Sequence, residues 1–372
     1  DNYINRVATA ERTNGIIEPQ IMLQWFIDVN KKIPARGNLP HRQASKTLKE
    51  LMLEPIQEGK IKIIPNHFEK VYYNWVENLQ DWCISRQIWY GHRIPVWYRS
   101  TSLTTSNEEV YVGIEAPKGE SWVQDEDTLD TWFSSGLWTF STLGWPDQTE
   151  DLKNFHPTSV INPGYEILFF WVARMILMSQ YLIGEIPFET VYLHGILRDA
   201  QGQKFSKSLG NGIDPIEIIE EHGADALRMS MIVGIGPGAD SRFDIQKVKA
   251  YSKFSNKIWN AARFVLDNTK DFNTQALPVY DEEDKKSDEE LKFLIKEITK
   301  EMEEYKFYLV AEKLYHYFWH IFADIIIERS KKKILEKKNA DSAKMLLYTH
   351  LTTLLKILHP FMPFITEEIW SM

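Results

Sequence analysis

The sequence predicts an α/β fold, a partial doubly wound parallel sheet that gives way to an all-helical bundle. Three observations carry that prediction. Val160-Ile161 and Thr190-Val191-Tyr192-Leu193 are short β-branched or aromatic runs flanking a long apolar stretch, and strand, helix, strand is the unit of a parallel sheet. Asp214-Pro215-Ile216-Glu217 reads as a helix start, with aspartate at the N-cap, proline at the first helical position and glutamate placed for a capping box. From Val248 onward apolar residues recur at helical spacing, which makes a bundle of about 120 residues, a normal domain size.

Taken in order, residues up to about Pro65 mix short extended runs with a polar loop. Thr47 to Gln57 carries Leu48, Leu51, Met52 and Ile56 at mostly helical spacing. Val71 to Ile84 reads as a helix or the approach to one, and Ile94-Pro95-Val96-Trp97-Tyr98 as a strand with an edge proline. Ser100 to Ser121 is polar and turn-rich, a surface hairpin or insertion with Val110-Tyr111-Val112 as a small strand. Ile167 to Ile183 is apolar almost all round, but Arg174 and Gln180 are costly in lipid, so a helix buried in a globular domain is expected and no membrane partner. Asp281-Glu282-Glu283-Asp284 with Lys285-Lys286 reads as a solvated loop between helices.

At 372 residues the chain exceeds what one core usually supports. The net charge of −9 gives no global field attracting nucleic acid, so any RNA contact is local. Cys83 is the single cysteine, which excludes an internal disulfide and a cysteine-rich zinc site, and a reducing cytoplasm is the expected location. The start, Asp1 to Thr13, lacks the basic and apolar regions of a signal peptide and an initiator methionine, so a fragment is expected.

Lys204-Phe205-Ser206-Lys207-Ser208 lies between a strand signal and a helix start, with Gly202 before it and Gly210 after it. It supplies ammonium and hydroxyl groups suited to polyphosphate charge, although five such residues alone also describe a solvated basic turn. The run resembles the KMSKS signature of class I aminoacyl-tRNA synthetases, and the match extends from Leu193-His194-Gly195-Ile196-Leu197-Arg198-Asp199 to Leu209-Gly210-Asn211. That resemblance implies the second half of a doubly wound nucleotide-binding (Rossmann-like) catalytic domain, followed by an all-α anticodon-binding bundle. It implies ATP with Mg²⁺ as cofactors, Lys204, Ser206, Lys207 and Ser208 as catalytic residues, and His194, Gly195, Ile196, Leu197, Lys207 and Glu166 at the ATP. Lys207 is the stronger candidate for the phosphate charge.

Gly164-Tyr165-Glu166-Ile167-Leu168-Phe169-Phe170-Trp171 looks like the valine-specific version of this region. If it opens a helix, Ile167 and Trp171 share one face, which suits either a small apolar cavity or ordinary core. The resemblance makes Ile167, Trp171 and Trp132 walls of the side-chain pocket, with Gly164, Tyr165 and Glu166 beside the adenylate's ribose or amino group. Asp81-Trp82-Cys83-Ile84-Ser85-Arg86-Gln87, continuing through Gly91-His92-Arg93-Ile94-Pro95, resembles the return into the sheet after the family's editing insertion and is read as scaffold. Ile17-Glu18-Pro19 and Gln24-Trp25-Phe26 resemble that insertion's exit strand.

Asn256 to Phe264 and Leu358 to Trp370 resemble stretches of the family's anticodon-binding helices. Arg329 to Lys338 is the one dense basic segment, and Arg329, Lys331, Lys332 and Lys333 are weak candidates for tRNA phosphates against the alternative of a solvated helix face. The expected organisation is a connecting segment over 1–65, the half catalytic domain over 66–215, a stem-contact linker over 216–247 and the helical domain over 248–372.

No His-x-Gly-His precedes the lysine loop, so these residues alone are expected not to activate valine at a normal rate. Valine, ATP and tRNA(Val) are the implied partners, and no zinc is expected. The alternatives are a portion of the isoleucine enzyme and a catalytically inactive tRNA-binding module.

Overall fold

The computed structural model describes residues 6–10, 13–34, 45–100, 108–206, 209–273 and 279–372. The chain divides into two compact units, Asp1–Gly195 and Ile196–Met372.

In the first unit a parallel sheet carries the strands Lys62–Ile64, Phe188–Tyr192 and Thr158–Ile161, with Phe188–Tyr192 in the middle. Thr190 faces Lys62 on one side and Val160 on the other. The middle strand buries four of its five residues, as a strand covered on both faces must, and only Glu189 is exposed.

The helix Leu48–Gln57 forms where the apolar spacing predicts it. Thr47 and Glu50 close a reciprocal capping box at its start, and Leu48, Leu51, Met52 and Ile56 enter the core. The helix His67–Glu77 begins earlier and ends sooner than the expected span of 71–84. Beyond it the chain is extended because Trp82–Cys83 pairs with Phe26–Ile27 and Ser85–Arg86 with Thr128–Leu129. The strand expected at 94–98 starts after Pro95, at Val96–Ser100, and pairs antiparallel with Glu108–Val112, so the small strand expected at 110–112 pairs with a strand that begins before the expected insertion at 100–121.

The apolar stretch after Pro163 is one helical run with three windings. It opens as a 3₁₀ turn, Tyr165–Ile167, widens into a π turn, Leu168–Val172, and continues as the α-helix Ala173–Leu182. Leu168, Val172, Met175 and Ile176 are fully buried, in the same core as Tyr72, Phe140 and Phe188. Among the described residues no helix is long and apolar enough to cross a membrane.

The second unit opens with a parallel pair of short strands, Leu197–Arg198 and Ser241–Arg242. Between them lie the lysine loop and the helices Pro215–His222 and Ala224–Ile232. Asp214 caps the first of these through Ile216 N, with Pro215 in the first turn. The bundle follows in the helices Ile245–Thr269, Glu282–Glu303, Phe307–His316, Ala340–Leu358 and Pro363–Trp370. A π segment, Tyr317–Ile326, joins Phe307–His316 to Ile327–Leu335. Phe254, Ile258, Leu314, Phe318, Phe322 and Leu354 stand at the centre of its core.

The acidic run at 281–286 is not the expected solvated loop. Asp281 is the N-cap of Glu282–Glu303, accepting from Asp284 N at 2.9 Å, and Asp284 is 0% exposed. Carboxylates are favoured in a first helical turn, and Arg329 and Lys333 supply the counter-charge that lets Asp284 be buried.

Candidate active site

In an open parallel sheet the carboxyl ends of the strands point their loops at a common crevice. Gly164, Tyr165 and His194 of the first unit lie at those ends. Gly164 follows Thr158–Ile161, and His194 follows Phe188–Tyr192. The two residues continue the parallel pairing as an isolated bridge. Tyr165 N donates to His194 O at 3.1 Å and His194 N donates to Pro163 O at 3.0 Å.

A Cβ on Gly164 would stand 3.4 Å from Cε1 of His194, at the edge of ordinary van der Waals contact. His194 Nδ1 lies 2.7 Å from the carbonyl of Gly195, which only accepts, so Nδ1 is the donor in this bond. The third strand end joins through Phe68, which follows Lys62–Ile64 and stacks on the Tyr165 ring at 5.7 Å.

The aromatic residues expected to wall a pocket sit just behind this edge. Trp132 stacks on Phe170 at 6.0 Å, while Trp171 packs against Trp138 at 5.9 Å and donates its Nε1–H to Ser135 O at 3.1 Å. Ile167 and Trp171 are both half-buried, but the helical face proposed for them is altered. Ile167 ends the 3₁₀ turn and Trp171 lies in the π turn, so the α-helical spacing of four does not describe them. Glu166 is exposed in the 3₁₀ turn.

Asp130 holds this wall in place. Its Oδ1 accepts from Trp132 N at 3.4 Å, and its Oδ2 takes both Trp82 Nε1 and Arg86 Nη2 at 3.1 Å. Arg86 also donates to the carbonyls of Cys83 and Ser85, in keeping with its reading as scaffold.

The lysine loop belongs to the second unit. Ile196 N donates to Asp240 Oδ1 at 2.8 Å, and Arg198 grips Asp240 Oδ2 through Nε at 2.7 Å and Nη2 at 2.6 Å. These bonds fix the Leu197–Arg198 strand from which the loop departs. Asp199 Oδ1 accepts from Gln201 N and Gln203 N, and Gly202 turns the chain at φ 82°. Lys204 returns as an antiparallel bridge to Arg198. Asn211 then reaches back to Asp199, Lys204 and Ser206. Bonding to Asn211 and to the backbone N–H of Gln203 holds the Asp199 carboxyl below the usual range. Lys207 and Ser208 lie outside the described residues.

Asp199, Asn211, Asp240, Phe68 and Asp130 received no role from the sequence alone. An aspartate followed three residues later by glycine is a turn signal that was available for Asp199. The pairing with Asn211 required the loop's path.

Of the basic residues in the helical unit, Arg329 binds Asp284 at 3.0 Å and Ser287 at 3.0 Å, and Lys333 binds Asp281 at 2.7 Å and Asp284 at 2.8 Å. Lys331 pairs with Glu328 at 2.5 Å. Lys332 is exposed. Among the described residues no three His, Cys, Asp or Glu side chains gather as a metal site.

A parallel sheet followed by a helical region is an architecture found in one class of nucleotide-using ligase. The chain belongs to the class I tRNA synthetases of the isoleucine, leucine, methionine and valine group, whose family model matches residues 7–244, and the anticodon-binding domain of tRNA ligases matches residues 284–372.

Among its relatives, the valine–tRNA ligase of Clostridium tetani is 45% identical over 387 residues, and that of Bacillus subtilis 42% identical over 378 residues. These alignments cover 99% and 100% of this chain and 41% of each relative, so the chain spans about two fifths of their length. The fold is shared with a LeuRS–tRNA–LeuAMS ternary complex from Agrobacterium radiobacter, at TM-score 0.63 and 21% identity over 79% of this chain and 40% of that one. It is also shared with Mycobacterium tuberculosis methionyl-tRNA synthetase in complex with methionyl-adenylate, at TM-score 0.68 and 18% identity over 87% of this chain and 60% of that one.

Proposed function

We propose that this chain forms part of an enzyme that joins valine to tRNA(Val) through valyl-adenylate, using ATP. The observation that carries this reading is the convergence of Gly164, Tyr165 and His194 at adjacent strand ends in a chain that is 42–45% identical, over 99% or more of its length, to valine–tRNA ligases.

In this reading the strand-end turn receives the adenylate. Gly164 lets the nucleotide approach the backbone, and Tyr165 and Glu166 meet its ribose or the amino group of valine. Trp132, Ile167 and Trp171 bound the amino-acid side chain, an apolar boundary that suits a small aliphatic group. His194 acts through shape and backbone, since its Nδ1–H is already engaged by Gly195 O. Gly195, Ile196 and Leu197 run beside the adenine.

The valine carboxylate attacks the α-phosphorus, a P–O bond forms, and pyrophosphate leaves with the electron pair of the bond that breaks. Lys204 and Ser206, with Lys207 and Ser208, meet the charge that accumulates on the departing phosphates. No covalent enzyme intermediate is required, so positioning and electrostatics supply the rate. Mg²⁺ would arrive on the phosphates themselves, as it commonly does. The helical unit meets the tRNA, with exposed Lys332 the best placed of the four basic candidates because Arg329, Lys331 and Lys333 are engaged by carboxylates. A cytoplasmic location accords with these partners.

The test is amino-acid-dependent ATP–pyrophosphate exchange by the full-length protein with valine, isoleucine, leucine and methionine. Valine is expected to support the fastest exchange at low concentration. A preference for isoleucine would overturn the pocket assignment, and no exchange with any of the four would overturn the enzymatic reading.

A further inference from the structure

We infer that Asn211 is a positioning residue for the lysine loop, acting with Asp199 as a clasp that fixes the backbone carrying Lys204. The inference rests on the proposed function and deepens it. Asn211 lies seven residues beyond Lys204, yet its amide touches three separate points of the loop. Nδ2 donates to Asp199 Oδ2 at 2.7 Å and to the Lys204 carbonyl at 3.3 Å, while Oδ1 accepts from Ser206 N at 2.9 Å.

Asp199 completes the clasp with its other oxygen, which accepts from Gln201 N at 3.0 Å and Gln203 N at 2.7 Å. Two adjoining side chains therefore take up polar groups of the loop backbone from 201 to 206. The pair is in turn anchored to the strand Leu197–Arg198, which Asp240 holds through Ile196 N and the Arg198 guanidinium. A lysine on such a backbone has its Cα held against the Leu197–Arg198 strand, leaving its side-chain torsions to settle. An ordinary surface turn needs neither a charged acceptor nor an amide returning from beyond the loop.

The donor and acceptor roles make a swap informative. Exchanging the pair, as Asp199→Asn with Asn211→Asp, keeps acceptors for Gln201 N, Gln203 N and Ser206 N and reverses the bond between the two side chains. It loses only the bond to the Lys204 carbonyl. Asn211→Asp alone sets two carboxylates against each other.

The experiment measures ATP–pyrophosphate exchange by the full-length enzyme and its single and double variants. Asn211→Asp is expected to lower kcat about 100-fold, the scale of a misplaced catalytic group, with the KM for valine within about twofold. The double variant is expected to regain about tenfold of that loss. An unchanged kcat in Asn211→Asp, or a double variant no faster than the slower single one, would overturn the clasp. Should Asn211→Asp fail to fold, the comparison of Asp199→Asn with the double variant carries the same test.

Failure of the functional reading is distinguishable. If the unmutated enzyme exchanges pyrophosphate with no amino acid, the proposed function falls, and the clasp is then read from amide hydrogen exchange at Gln201, Gln203 and Ser206. Protection lost in Asn211→Asp and restored in the double variant supports it, and protection unchanged by Asn211→Asp refutes it.

Discussion

The guanidinium of Arg174 rests on the face of Trp82, with Cζ 3.9 Å from the ring centroid, and Trp75 flanks the same group at 5.3 Å. Burial draws the Arg174 pKa down to about 10, against the opposing pull of Asp130. Arg174 Nη1 has no hydrogen-bond partner, so the two indole faces and the nearby carboxylate are what make a buried cation tolerable here.

The cation and the carboxylate are therefore unequal in worth. Arg174→Met keeps an apolar stem and removes a costly charge, and is expected to change stability by less than about 1.5 kcal/mol. Asp130→Ala strips the acceptor from Trp82, Arg86 and Trp132 N and removes the carboxylate near Arg174, at about 3–5 kcal/mol. Urea unfolding of the two variants checks this, and an Arg174→Met loss exceeding that of Asp130→Ala would reverse the assignment.

In the helical unit the same logic applies to Asp284, which accepts from Arg329, Lys333 and Ser342 while wholly buried. Asp284→Ala leaves two confined cations without their shared acceptor and is expected to destabilise by about 3–5 kcal/mol. Lys332→Ala, exposed on the helix Ile327–Leu335 that carries Arg329 and Lys333, is expected to cost under about 0.5 kcal/mol. The quantity to compare is the shift in urea midpoint at constant slope, and equal shifts would show that the basic helix is a solvated face throughout.

His350 supplies a pH dependence of definite sign. It is fully buried, neither ring nitrogen has a partner, and burial lowers its pKa to about 4 despite Asp288 and Asp284, with Arg329 adding to the fall. Between the ordinary value near 6.5 and about 4 the unfolded chain takes up a proton that the folded chain refuses. Stability from this residue is thus fully present above about pH 6.5 and declines toward pH 4, by about 3 kcal/mol over that window. His350→Leu removes the titration. The difference in unfolding free energy between the variant and the parent chain, followed from pH 7 to pH 4.5, should shift in the variant's favour as the pH falls. A constant difference would mean that His350 titrates alike in both states.

Legibility in the sequence followed the range of the interactions. The helix at Leu48–Gln57 was readable because its cap and its apolar face lie within one window, Thr47 to Ile56. The strands flanking the apolar helix were readable for the same reason. Asp281 to Lys286 misled because charge density argues for solvent, whereas the partners that bury Asp284, namely Arg329, Lys333 and Ser342, are remote in sequence. The change of winding at Tyr165 to Val172 was also hidden, since an unbroken apolar text fits 3₁₀, π and α turns alike. Among the site residues, Gly164 and His194 were named by resemblance, but their mutual bridge comes from the pairing of Thr158–Ile161 with Phe188–Tyr192. The Asp199–Asn211 bond lay within the quoted motif and still needed the loop's path to be seen.

The meeting of Phe68, Tyr165 and His194 makes the site a checksum on the sheet. Each follows a different parallel strand, so a slip of one residue by Phe188–Tyr192 would carry His194 about 3.3 Å past Gly164 and move every side chain of the strand to the opposite face of the sheet. A misthreaded sheet would thus lose this meeting of side chains. A molecule that spans these ends selects the correctly paired arrangement and, at a hundredfold excess over its Kd, adds about 2.7 kcal/mol to it. For such a molecule, occupancy and correct assembly become one quantity.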